Sequence, residues 1–134
     1  MQPELYEPGE EFSAIGDIIT VGPLTTSTLL TRESTKVGQI FIDRLLLFVQ
    51  AGSEDQIYFS FHRDGHAISP FNNFNGGLII NNTSIAVMTQ YPPGVFEIRA
   101  RNISGINVKA QAGWIGKMLR EKVQMSDFRF NTPV

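Results

Sequence analysis

Gln56-Ile57-Tyr58-Phe59-Ser60-Phe61-His62-Arg63 alternates without a break, with Ile57, Phe59 and Phe61 on one side and Gln56, Tyr58, Ser60 and His62 on the other. Successive side chains of an extended chain point to opposite faces, so this stretch predicts a strand with one buried face. Asp64-Gly65 follows, a pair that tolerates positive φ and implies a tight reversal. Outward in both directions, apolar residues recur at spacing two more often than at three and four. Turn signals separate these runs about every 8 to 12 residues, as sandwiches and barrels require.

On the N-terminal side, Ile18 to Gly22 and Thr25 to Thr31 read as short strands broken by Gly22-Pro23. Val37 to Gln50 is the longest candidate. It is apolar on both faces around Asp43 and Arg44, which suggests a central strand covered twice; a buried helix has the same periodicity, and β-branched and aromatic content with flanking Gly38 and Gly52 favours the strand. On the C-terminal side, Gly77 to Ile80 and Ser84 to Gln90 read as strands joined at Asn81-Asn82. Tyr91-Pro92-Pro93-Gly94 is a turn before the strand Val95 to Arg101, and Ile106 to Ile115 alternates again after the turn Asn102 to Gly105. The expected fold is an all-β, antiparallel, jelly-roll-like sandwich of about eight strands over residues 18–116. Extended arms flank it, an N-terminal one of residues 1–17 and a C-terminal one of residues 117–134.

A chain of 134 residues is long enough for one core, and a 42% apolar fraction is too high for a disordered chain. The net charge of −2 provides no overall basic field for phosphates, which disfavours nucleic acid as a partner. With no cysteine, a thiol nucleophile, a thiolate zinc site and a disulfide framework are all excluded. Met1 to Glu11 is polar and acidic, unlike a secretory signal, and no apolar run reaches the ~20 residues of a membrane-spanning helix. The expectation is a cytosolic chain without a membrane partner.

Charge is segregated at the ends. Residues 1–17 carry Glu4, Glu7, Glu10, Glu11 and Asp17 and no Lys or Arg; from Lys117 onward, Lys117, Arg120, Lys122 and Arg129 outnumber Glu121 and Asp127. Arms of opposite sign can dock head to tail on neighbouring copies, which makes these residues candidate assembly contacts, or they are simply solvated tails.

Three patterns bear on chemistry. His62, Asp64 and His66 share one strand face if the chain stays extended, which makes them a weak metal candidate; a reversal at Asp64-Gly65 would separate them. Asp43 is the one acid in an apolar strand, and regular alternation points Arg44 to the opposite face, so a salt link across strands is expected in preference to a catalytic acid. No acid pair, nucleophile elbow or phosphate loop occurs, so no catalytic residue and no cofactor are expected. Ser69 to Gly77 sets Phe71 and Phe74 among Asn72, Asn73 and Asn75. With Tyr91 and Trp114 these residues either stack on sugar rings, as in a glycan-binding module, or tuck under the loop as a satellite core. Asn-X-Ser/Thr triplets at Asn81, Asn82 and Asn102 read as Asn-rich turns.

Gly38 to Gly52, Tyr91 to Gly94, and Asn102 to Gly116 with its closing Ala-Gly-Trp-Ile-Gly together resemble the small β-sandwich virion proteins of tailed bacteriophages, such as capsid decoration or cement proteins and minor structural subunits. The resemblance covers residues 16–116 and neither arm. It implies a non-enzymatic structural subunit made in the host cytoplasm in many copies and resident in the virion. Its implied partners are other copies of itself and other virion subunits.

Overall fold

The computed structural model describes residues 6–34, 38–76 and 84–121. It contains β1 (Tyr6–Glu11), β2 (Ala14–Ile15), β3 (Ile19–Val21), β4 (Thr26–Glu33), β5 (Gln39–Val49), β6 (Ile57–Arg63), β7 (His66–Ala67), β8 (Phe74–Asn75), β9 (Ser84–Tyr91), β10 (Val95–Asn102) and β11 (Val108–Glu121), with one 3-10 turn at Glu54–Gln56. Two antiparallel sheets pack face to face. One runs β1-β11-β5-β9, with β2 and β3 also on β11; the other runs β4-β10-β6-β7, with β8 also on β6. β1, β2 and β3 are successive pieces of one edge strand along β11, and β7 and β8 are two pieces of another along β6. Counted this way the described residues form eight strands in the orders 1-8-3-6 and 2-7-4-5, the double Greek key of a jelly roll.

The alternation in Ile57–Arg63 does what the sequence predicts: Ile57, Phe59 and Phe61 are fully buried. They meet Ile98, Ala100 and Phe96 of β10 and, across the sandwich, Ile40, Ile42, Leu45, Leu47, Ala112 and Trp114. The centre is aromatic. The Trp114 ring stacks on Phe12 at 5.8 Å and meets Phe61 and Phe96 at 6.1 and 6.4 Å. Each such pair adds about 0.5 to 1.5 kcal/mol beyond the area it buries. The indole N–H, which burial would leave without water, donates to the Phe12 carbonyl at 2.6 Å.

Both arms differ from the expectation wherever they are described. Residues 6–11 and 14–15 run in the sheet, and β11 continues six residues past Ile115 to Glu121, so Glu7 lies in register with Arg120 and Glu11 with Lys117. Glu11, which was expected to reach a neighbouring copy, thus lies opposite Lys117 within the chain. Phe12, fully buried, anchors the N-terminal part, with the Arg32 guanidinium 4.7 Å over its ring and donating to the Ser13 carbonyl at 2.9 Å. Pro8, which cannot donate a ladder bond, is tolerated because β1 is an edge. The expected strand Gly77 to Ile80, its joint at Asn81-Asn82, Glu4, Lys122 and Arg129 lie outside the described residues.

Candidate functional site

β5 was expected to be covered on both faces, and the structure corrects this. Ile40, Ile42, Leu45, Leu47 and Val49 are buried, whereas the outward Phe48 is 36% exposed and no further layer lies over Phe41, Arg44 and Leu46 among the described residues. Two features give β5 its apolar outer side. Its composition is apolar at nearly every position, and a bulge between Ile42 and Arg44 shifts the alternation by one residue. The same bulge corrects the Asp43-Arg44 reading: with regular alternation broken, the two side chains share the outer side and pair directly, Arg44 Nε to Asp43 Oδ2 at 3.2 Å. Arg44 also donates to Ser84 Oγ at 3.3 Å.

Paired residues of antiparallel strands project from the same face, so the register extends this surface over the neighbouring strands. Gln111 lies beside Phe48, Gly113 beside Leu46, Ile115 beside Arg44 and Lys117 beside Phe41; Ile15 of β2 lies beside Gly113. Ile115 is 39% exposed and Ile15 57%. The Lys117 ammonium sits 5.9 Å over the Phe41 ring, and Gln111 donates to the Gly16 carbonyl at 2.8 Å. At one margin a shallow groove of about 270 Å³ runs between Ile18, Phe48, Lys109 and Gln111. The outer side of this sheet is therefore an apolar strip along β2, β11 and β5, with charges at Asp43, Arg44 and Lys117.

The outer side of the other sheet is polar throughout. The register places Tyr58, Ser60 and His62 of β6 alongside Arg101, Arg99 and Glu97 of β10, with Thr26, Thr28 and Thr31 of β4 beyond. Arg99 pairs with Glu97 at 3.0 Å, the Arg101 guanidinium lies 5.2 Å over the Tyr58 ring, and His62 Nε2 is 2.7 Å from Ser60 Oγ. The polar side thus pairs its own charges and leaves His62 Nδ1 buried without a hydrogen-bond partner, while the apolar side leaves large side chains in water.

Asp64 and Gly65 take φ of 52° and 79°, so the chain reverses there and His66 pairs with Arg63 while His62 pairs with Ala67. Adjacent positions face opposite ways, which puts the two imidazoles on opposite faces, and the Asp64 carboxylate accepts from the Val95 amide at 2.8 Å. Among the described residues no group of three His, Cys, Asp or Glu could hold a metal ion. Phe71 and Phe74 pack against each other at 6.4 Å, and Phe74 stacks on the core ring Phe59 at 5.9 Å. They form a satellite of the core, and both remain partly exposed. Asn75 donates to the Asp55 carbonyl, while Asn72 and Asn73 are exposed. Tyr91 is packed edge-on against Phe61 and Phe96, and burial pushes its hydroxyl pKa above the ordinary 10.0. Trp114, expected near a turn, is fully buried. Among the described residues no helix is long and apolar enough to cross a membrane.

The sequence reading missed Phe12 as a core residue because it stands alone among acidic residues. The signal for the exposed sheet side was the doubly apolar run 40–48. No family of known proteins, no curated protein and no solved structure matches the chain.

Proposed function

We propose that this chain is a non-enzymatic structural subunit of a bacteriophage particle, a decoration or minor virion protein, which joins its neighbours through the outer side of the β1-β11-β5-β9 sheet. The observation that carries the reading is the apolar strip of Ile15, Phe48 and Ile115, exposed beside partly exposed Leu46 and Phe41. Clustered large side chains in water are the mark of a surface that another macromolecule covers. The resemblance of Gly38 to Gly52 and Asn102 to Gly116 to phage virion proteins supplies the kind of assembly. The partners are other copies of the chain and other virion subunits, and the site of action is the virion after synthesis in the host cytoplasm. With Glu11 opposite Lys117 inside one chain, the sheet side takes over the joining role first expected of the arms.

Mass spectrometry of particles purified from cells that express the chain with its genomic neighbours tests this. The chain is expected in the particle fraction in many copies. Complete particles without it overturn the reading.

A further inference from the structure

Resting on the assembly reading above, we infer that the apolar side of the β1-β11-β5-β9 sheet packs against the same side of a second copy of this chain, with Ile115 near the centre of the contact and Phe48 toward one margin. Three observations favour a copy over an unrelated partner.

The first is size. Four strands spaced about 4.8 Å apart, with central strands of 11 and 14 residues at about 3.3 Å each, give a face of roughly 600 Å² in projection. A corrugated face exposes more than its projection, which brings it to the ~800 Å² per partner of a standard stable interface. The second is charge. Asp43 and Arg44 sit side by side on this face, and Glu11 lies opposite Lys117. With the exposed Lys109 at its margin the face carries mixed and nearly balanced charge, which is self-complementary: a two-fold axis nearby lets each Arg44 reach the Asp43 of the other copy, whereas a strongly charged partner finds no matching field. The third is the contrast between the two sides. The β4-β10-β6 side already pairs its own ions and rings, so burying the apolar side is the step that removes most exposed hydrophobic surface.

Light scattering on the full chain across dilution, with Ile115→Glu, Phe48→Glu and the opposite-side control Thr28→Glu, tests the inference. Ile115 and Phe48 are partly exposed, so both variants are expected to keep the wild-type circular dichroism. The wild type and Thr28→Glu should self-associate, and the two face variants should lose the oligomer. A wild type that stays monomeric at every concentration, or an oligomer unchanged in both face variants, overturns it. A second reading does not require a buried charge. Because the chain has no cysteine, Ile115→Cys is a single reporter, expected to react with a maleimide slowly when concentrated and quickly when dilute. Equal rates at both concentrations overturn self-packing. A monomeric chain that is nevertheless present in purified particles sinks this face and leaves the virion reading standing. A face-dependent oligomer absent from particles does the reverse.

Discussion

Asn102 is fully buried, yet both ends of its amide are used. Nδ2 donates to the Val21 and Ile106 carbonyls at 3.0 and 2.7 Å, and Oδ1 accepts from the Ser104 amide and hydroxyl at 2.9 and 2.7 Å. One side chain therefore ties the β3–β4 and β10–β11 connections together at one end of the sandwich. Asn102→Ala leaves those groups unsatisfied and is expected to cost about 2 to 4 kcal/mol in urea unfolding. His62 shows the opposite balance. Burial first, then the Arg99 charge, lowers its pKa below the ordinary 6.5, against smaller raising effects of Glu97 and the Gly65 backbone. The unfolded chain then binds the proton more readily than the folded one, so stability falls as pH drops through about 6.5 and levels off below the folded-state pKa. Thermal melts of wild type and His62→Gln between about pH 5 and 7.5 should show a steeper loss in the wild type; parallel curves would refute this linkage.

At the level of strands, Gly113 shows what decides the course of the N-terminal edge. A Cβ there would stand 2.6 Å from the Ala14 carbonyl oxygen, and one on Gly116 would stand 2.7 Å from that of Phe41. Backbone on both sides of β11 occupies the space of a side chain, so the Ala-Gly-Trp-Ile-Gly segment combines a core anchor with two close approaches. Gly113→Val is expected to destabilise the fold by about 2 to 4 kcal/mol and to loosen β2, seen as faster amide exchange at Ile15. Phe12→Ala should cost about 3 to 5 kcal/mol although the residue lies in a segment that reads as a tail. A change below about 1 kcal/mol would mean the edge strand is dispensable. Most of the strand positions were legible because segments such as Ile57–Arg63 and Val95–Arg101 carry a simple period of two. The arms were not legible, since β1 has neither apolar alternation nor β-branched content; it is held by backbone pairing to β11, a long-range contact that leaves no local trace. Of the candidate site, the apolar outer side was visible in the run 40–48, but a bulge cannot be read from composition, so the joint placement of Asp43 and Arg44 appears only in three dimensions.

Across the whole molecule, the main pairings join residues far apart in sequence: β1 with β11, β4 with β10 and β5 with β11. Loops must close before these contacts form, so refolding is expected on the millisecond-to-second scale typical of sandwiches, measured by stopped-flow Trp114 fluorescence. A microsecond phase carrying the full signal would contradict this topology. Protease digestion of a dilute sample should spare residues 6–21, because their backbone is already paired; cleavage there would restore the reading of a free N-terminal arm. The pairing of Tyr6 with Glu121 has one more implication. Cα atoms of such partners lie about 5 Å apart, so a few added residues can join Tyr6 to Glu121 directly. The chain can then be opened at the exposed turn around Gly105 without breaking a strand, since Asn102 and Val108 bound the adjoining strands. A circular permutant made this way should retain the fold, so the order in which the strands leave the ribosome can be changed without changing which strands pair.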